Sequence, residues 1–402
     1  MKLVPKRISQ LGRVVTGKTP STSRREFFGG EYPFVTPSDL EYDHYYCRNT
    51  ERTVTESAKA ALPNQFIPAE AVMFTCIGAT IGKCALAPTE CLTNQQINSV
   101  VANADTDPKF IYYLLCQNVD VVKGLGGGAA TPIVSKSKFE DIEFLVPQFR
   151  EHQESISSIL SAYDNQMENN RRRMILLEQA ARLLYQEWFV RFRFPGHEHT
   201  RMTNRLPEGW ERKRIADIAD CIGGGTPSTA VPNYWEDGTI TWVTPTDVTR
   251  NQHFVLLDVE KRITESGLEN SSAKLLPPHA ILMTSRASVG YFAVAGRRVC
   301  TNQGFISIVP RDIVSSTFLL FQLSDRVEEI RTMGSGSTYP EVRRGKFREF
   351  QVVAPSRPLV VAFDEQALLL LGQIRVLKQQ NQKLRAARDL LLPRLMSGEI
   401  TV

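Results

Sequence analysis

Hydrophobic and polar positions follow two rhythms along the chain. From about 150 to 190 the sequence contains neither Pro nor Gly. There Ile156, Leu160, Tyr163, Met167, Asn170, Met174, Leu177, Ala181, Leu184 and Trp188 fall at alternating spacings of four and three. That heptad rhythm predicts one long helix with a single apolar seam, interrupted by one Asn. At 1.5 Å per residue its length is on the order of 60 Å. A second stripe of the same kind runs through Ala367, Leu370, Ile374, Leu377, Asn381, Leu384, Arg388, Leu391 and Leu395, again with one Asn, and its helix is expected to stop near Pro393 and Gly398. A core-facing helix of a globular domain carries a similar stripe. Periodic runs longer than about 25 residues, however, usually serve as coiled coils or spacers.

Outside these stretches the pattern is short. YPFVT, AVMFTCI, ITWVT, AILMTS, GYFAVAG and GFISIVP are β-branched or aromatic runs between Gly, Pro, Asn and Asp turns, and they read as strands. PKFIYYLLCQNVDVVK at 108–123 and SSTFLLFQLSDRVEEIRTM at 315–333 read as helices. A Gly-rich loop follows each helix, GLGGGAATP and GSGSTYP. Strands and helices do not alternate in a βαβ rhythm, so the fold class is α+β.

These elements occur twice in the same order. GKTPSTS at 17–23 returns as GGTPSTA at 224–230, FVTPSD at 34–39 as WVTPTD at 242–247, and LTNQQINSV at 92–100 as CTNQGFISI at 300–308. KFEDIEFLVP at 138–147 returns as KFREFQVVAP at 346–355. Asp39 and Asp247, like Thr93 and Thr301, lie 208 residues apart. The chain is therefore a tandem duplication of a unit of roughly 200 residues, as a search for internal periodicity reveals. The expected divisions are an α+β domain over 1–147, a long helix over 148–191 and a Pro-, Gly- and charge-rich linker over 192–210. A second α+β domain follows over 211–355, then a second long helix over 356–402. Antiparallel pairing of the two equivalent helices would relate the domains by a pseudo-two-fold axis.

Residues 12–19, GRVVTGKT, match the phosphate-cradling pattern G-x-x-x-x-G-K-[ST]. A nucleotide loop needs a buried parallel strand leading in and a helix leaving from Lys-Thr. The lead-in KRISQLGR is polar, the exit contains Pro20, and the second copy has Gly225 in place of Lys18. A Gly/Pro-shaped surface loop is the expectation. An ATPase or a stand-alone nuclease using this loop is the alternative, and a scaffold that grips another protein is a second one.

Composition narrows the class without naming a function. The 402 residues carry a net charge of +5, with 42% hydrophobic and 23% charged residues, which suits a soluble globular protein. The seven cysteines at 47, 76, 84, 91, 116, 221 and 300 form no C-x-x-C pair, as expected of idle thiols in a reducing cytoplasm. The start MKLVPKRISQLGR has charge but no apolar run, so a secretory signal is not expected there, nor is any spanning helix. His197-Glu198-His199 has no acidic or cysteine partners nearby in sequence, and no metal is expected. No G-x-S-x-G, H-E-x-x-H or zinc-deaminase signature is present in either copy, which favours a binding module.

The order T-G-K-T-P-S-T or G-G-G-T-P-S-T, then V-T-P-S/T-D, then T-N-Q, then a long helix, resembles the specificity (S) subunit of type I restriction–modification systems. LLEQAARLLYQEWFVRFRFPGHE at 176–198, LPEGW at 206–210 and LLLPRLMSGEI at 390–400 are similar to that family's central and terminal regions. The resemblance implies two target-recognition domains separated by two long antiparallel coiled-coil helices. Each domain would read one half of a split double-stranded DNA site. The helices would set the unread gap and dock two methyltransferase (M) subunits. Those partners would bring S-adenosylmethionine and methylate adenine N6, and motor–nuclease (R) subunits would join for cleavage. The chain itself would hold no cofactor and no catalytic set, and it would be cytoplasmic. Because the two copies differ outside the shared blocks, the half-sites should differ too.

Phosphate contacts should come from Lys and Arg, and base reading from polar side chains in the grooves. The candidates in copy one are Lys18, Ser21, Thr22, Arg24, Arg25, Lys83, Lys136 and Lys138. In copy two they are Ser228, Thr229, Arg286, Arg343, Arg344 and Lys346. Thr36, Asp39, Thr93 and Asn94, with their repeats Thr244, Asp247, Thr301 and Asn302, recur whatever the target, and are expected to be scaffold turns.

Overall fold

The computed structural model describes residues 1–42, 44–127, 132–251, 253–311, 314–335 and 340–402. It divides into two units, Met1–Asn170 with Gln380–Val402, and Arg171–Gln379.

Unit 1 is built on short strands. In chain order these are β1 (Leu3–Arg7), β2 (Gly12–Thr16), β3 (Phe28–Val35), β4 (Arg52–Val54) and β5 (Phe66–Ile67), then β6 (Val72–Thr75), β7 (Cys84–Leu86), β8 (Cys91–Thr93), β9 (Ile97–Ala102) and β10 (Glu143–Pro147). One antiparallel sheet has the order β2-β9-β6-β7, a mixed sheet the order β4-β3-β8-β5, and β1 pairs with β10. The inner sheet is covered by the helix Pro108–Gln117, whose Phe110, Ile111, Tyr113 and Leu114 join Val72, Phe74 and Val100 in one core.

Unit 2 repeats the plan. Ala219–Gly223, Phe305–Pro310, Ile281–Thr284 and Phe292–Ala295 form the counterpart of the inner sheet, extended by Val255–Leu256. Where unit 2 adds that strand, unit 1 has only the bridge from Tyr46 to Leu86. The stretch 192–210 is more structured than its Pro and charge content suggests. Phe194, Leu206 and Trp210 are buried in the unit 2 core, and the Trp210 ring lies 5.7 Å from Phe189 and 5.5 Å from Phe194.

Each predicted amphipathic helix is two helices. Pro108–Gln117 breaks at Asn118 before Val119–Gly124, and Ser316–Asp325 breaks at Arg326 before Val327–Thr332. Asn118 donates its side-chain amide to Leu114 O at 2.8 Å, and such local bonds compete with helix propagation. The N-caps of the two copies use mirrored chemistry. In copy one Ser157 of the long helix donates to the cap carboxylate of Asp107; in copy two the cap Ser315 donates to Asp364 at 2.7 Å.

The long helices span Arg150–Tyr185 and Arg357–Met396. Pro393 does not end the second one. Leu395 and Met396 are buried in the unit 1 core and hold the last turn, and the chain leaves through Gly398 at φ 79. In unit 1 the pair runs antiparallel, with Asn170 bonded to Asn381 and Asp164 to Arg388. Ile156, Leu160 and Met167 are buried as the heptad predicts, whereas Tyr163, Leu384 and Leu391 lie at the seam's margin.

In unit 2 the pair is also antiparallel, with Met174 near the boundary and Tyr185, Trp188 and Phe189 all ringed around Phe363. Met174, Ile374 and Leu377 are buried as expected, but the stripe then departs from the heptad. Tyr185, Phe189 and Leu371 are buried, while Leu177, Leu184, Trp188 and Leu370 pack only partly. A straight α-helix drifts by about 20° per heptad, and here the helix follows the domain core rather than a strict seven-residue repeat. A π turn over Gln186–Val190, closed by Arg191 N on Gln186 O at 2.8 Å, carries the drift further.

Ser99 in β9 and its repeat Ser307 are both 0% exposed, and neither hydroxyl has a hydrogen-bond partner among the described residues. Ser99→Ala and Ser307→Ala should each stabilise the chain, by up to about 1 kcal/mol, because each removes an unsatisfied buried hydroxyl. Urea midpoints read this directly, and a lowered midpoint would show that the hydroxyl is in fact bonded.

Candidate nucleic-acid interface

The repeated motifs prove to be one interlocking joint, built once in each unit. Lys18 N donates to Thr93 O and Gly225 N to Thr301 O, each at 2.8 Å. The side chain of Thr19 bonds Gln95 at 2.8 Å, and that of Thr226 bonds Gln303 at 2.6 Å. A Cβ on Gly17 would sit 2.2 Å from Thr93 O, and one on Gly224 would sit 2.1 Å from Asn302 O. Glycine is required there because two backbones touch.

The neighbouring turn is equally regular. Asp39 accepts from the backbone N and hydroxyl of Thr36 at 2.8 and 2.7 Å, and Asp247 accepts from the same groups of Thr244, both at 2.7 Å. Asn94 N bonds Val35 O and Asn302 N bonds Val243 O, while the Asn94 and Asn302 side chains accept from Gln96 N and Gly304 N. These eight residues are scaffold.

This geometry removes the nucleotide reading of 12–19. Gly12–Thr16 is β2, antiparallel to β9 rather than a parallel lead-in strand. The surface-loop expectation therefore holds only from Gly17 onward; Val14 and Val15 are core residues that the polar lead-in concealed. The Gly17 and Lys18 amides are spent on Ile97 O and Thr93 O, and no helix leaves from Thr19. Nothing remains to cradle a phosphate as such a loop does.

The joint displays an exposed segment. Ser21, Thr22, Arg24 and Arg25 are exposed, as are Lys18 before them and Ser228 and Thr229 in copy two. Arg24 lies over the Phe27 ring at 5.4 Å. Among the described residues Lys18, Arg25, Arg343 and Arg344 form no ion pair.

The other candidates are committed within the chain. Lys83 donates to Pro37 O at 2.9 Å and faces the Tyr42 ring. Lys138 donates to Leu125 O at 3.3 Å, and its repeat Lys346 to Met333 O at 3.0 Å. Lys136 pairs with Glu140 at 3.4 Å and Arg286 with Glu341 at 2.8 Å. The Gly-rich loops beside them fall partly outside the described residues, at 128–131 and 336–339.

Two basic residues beside the candidate Arg344 were missed, Arg311 and Arg348. Burial pushes the Cys221 thiol up to about 11, while Arg348, Arg344 and Arg311 oppose the rise, which places three guanidinium groups around one edge strand. Arg311 is held by Asp220 at 2.5 Å. The signal was legible as RRGKFR, in which Arg344 and Arg348 are one helical turn apart.

Comparison with known proteins places the duplicated chain in a family. Residues 2–179 and 207–358 match the profile of the type I restriction modification DNA specificity domain, one match per copy. The chain belongs to that family. The type I restriction enzyme MjaIX specificity subunit of Methanocaldococcus jannaschii is 26% identical over 415 residues, covering 99% of this chain and 93% of that protein. The HindI specificity subunit of Haemophilus influenzae is 28% identical over 198 residues, 48% of this chain and 42% of that protein. In fold, the chain is similar to the S subunit of the type I restriction–modification system from M. genitalium. The TM-score is 0.59 at 15% identity, covering 98% of this chain and 96% of that one. As a member of the DNA specificity family, the chain has the role of DNA sequence specificity, and its fold is that of two α+β domains joined by long helices. Among the described residues no helix is long and apolar enough to cross a membrane.

Proposed function

We propose that each unit's recognition domain reads one half of a bipartite double-stranded DNA site, and that the paired helices set the gap between the halves. The observation that carries this is the joint itself. The same glycine, threonine and asparagine bonds are built twice, and dissimilar, only partly exposed segments follow them: SRREFFGGEY in copy one, whose Phe27 is buried, and AVPNYWEDGT in copy two. A duplicated scaffold with divergent loops suits two readers of different sequences. Lys18, Arg24, Arg25, Arg343, Arg344 and Arg348 are the phosphate contacts in this reading, with Ser21, Thr22, Ser228 and Thr229 within the same exposed loops.

The helices also carry the docking surface for methyltransferase subunits. Leu176 and Leu183 lie seven residues apart on the first helix at 64 and 56% exposure, and Leu369 and Val376 do so on the second at 65 and 51%. These rows lie off the buried seam, and exposed apolar rows of this kind mark protein interfaces. The chain contributes no catalytic group. S-adenosylmethionine belongs to the methyltransferase partners, which flip and methylate adenine, and motor–nuclease subunits complete the assembly in the cytoplasm.

Methylation mapping of a genome exposed to this chain together with its methyltransferase partner tests the reading. Adenine methylation at one motif of two unlike halves with a fixed gap is expected. A continuous motif, or methylation without sequence preference, would overturn it.

A further inference from the structure

The seam's polar residues have so far been given no task. In unit 1 Asn170 is fully buried and Asn381 is 8% exposed. The Asn170 amide donates to Asn381 Oδ1 at 2.8 Å, and Asn381 donates in turn to Met167 O at 3.2 Å. Gln166 completes the set by donating to Asn170 Oδ1 at 3.1 Å. Nearly two turns away, Asp164 accepts from Arg388 at 2.5 Å on one carboxylate oxygen and from Tyr113 of the domain at 2.5 Å on the other. The two side chains of that ion pair are 13% and 1% exposed, Arg388 first.

Both layers agree on one antiparallel register to within a residue, since six residues part Asn170 from Asp164 on one helix and seven part Asn381 from Arg388 on the other. The apolar neighbours do not discriminate in this way. Ile156, Leu160, Leu391 and Leu395 are all aliphatic, so their pairing across the seam does not itself distinguish one heptad register from the next. A slip of one heptad sets Asp164 against Leu395, or Arg388 against Ile156, and so parts the buried carboxylate from the guanidinium across the seam; Arg388 keeps only its same-helix partner Asp389 at 2.8 Å. A buried polar residue at a seam position is the best-attested device for fixing coiled-coil register.

We propose that the Asn170–Asn381 and Asp164–Arg388 layers are an axial register lock, making these four side chains positioning residues for DNA specificity. Tyr113 extends the lock into the first domain, because the carboxylate that Arg388 holds is the one that Tyr113 holds. The lock allows one helix alignment and hence one gap length, a consequence that rests on the ruler reading above.

The test uses the full chain with Cys116→Ser and Cys221→Ser, which removes the two cysteines that are not fully buried. Spin labels go on the exposed positions Asn169→Cys and Lys383→Cys. Pulsed electron–electron resonance should give one distance. A lock-free variant, Asp164→Leu, Arg388→Leu, Asn170→Leu and Asn381→Leu with Tyr113→Phe, should add a second distance, from a slip of about 10 Å. One unchanged distance in that variant would overturn the lock. Should the lock-free chain fail to fold, the charge swap decides. Asp164→Arg alone should broaden the distances, and adding Arg388→Asp should restore the single one; equal behaviour of the two would overturn the lock. Methylation mapping of the lock-free variant with its methyltransferase partner separates the two ideas. If slipped helices still gave the original gap, the lock would stand and the ruler would fall.

Discussion

Arg388→Ala should destabilise unit 1 by about 3–5 kcal/mol, the range seen when one partner of a buried ion pair is removed. Asp164 is 1% exposed, so its carboxylate cannot exchange the lost guanidinium for bulk water. Exposed pairs such as Arg150–Glu154, 43% and 51% exposed, should change stability by less than about 1 kcal/mol when broken. The asymmetry gives the prediction its second half. Replacing the whole group with apolar side chains, by Tyr113→Phe, Asp164→Leu and Arg388→Leu, should recover most of the loss, because no charge or hydroxyl is then left stranded. Native-state hydrogen exchange over 157–170 and 381–391 measures both, and is preferable to one melting temperature in a chain of two units. A near-neutral Arg388→Ala would show that the Asp164 charge is compensated without the guanidinium.

The architecture was legible because the chain is written twice. A single copy of TNQ or VTPSD carries no message; two copies at one spacing mark a joint, closed by Lys18 N on Thr93 O and Gly225 N on Thr301 O and flanked by the Thr36–Asp39 and Thr244–Asp247 turns. The long helices were legible from length and periodicity. The exact buried stripe was not, because Leu184 and Tyr185 are both plausible seam residues and only the core of Phe318, Phe321 and Phe363 selects Tyr185. Strand β1 was missed for a related reason. LVPKR holds a Pro and does not alternate apolar with polar, and its pairing with Glu143–Pro147 joins segments far apart in sequence that no local pattern connects. The candidate site was the least legible part. Lys138 and Arg344 look alike in sequence as surface cations, yet one is tied to Leu125 O and the other is free of ion pairs among the described residues. What a long side chain touches depends on backbone carbonyls that only the fold brings near.

Insertion of seven residues into both long helices, between Asn170 and Arg171 and between Gln379 and Gln380, should lengthen the recognised gap by about three base pairs. Those positions are the boundaries of the two units, so each unit's own contacts survive, including both polar layers. Seven residues add about 10 Å of helix, and a base pair occupies about 3.4 Å. Rotation matters as much as length. A heptad returns the seam to nearly its original face, drifting by about 20°, so the helices should still pair. Three base pairs turn the duplex by about a quarter of a turn or slightly more, at 10–10.5 base pairs per turn. The DNA must therefore absorb most of the angular difference, and methylation should slow even where the longer gap is accepted. The same insertion in one helix only should abolish methylation, because the seam beyond the insertion is then out of register with its partner. Methylation mapping of the three chains distinguishes the outcomes. An unchanged gap with both insertions present would mean that the spacing is set elsewhere than in the helices.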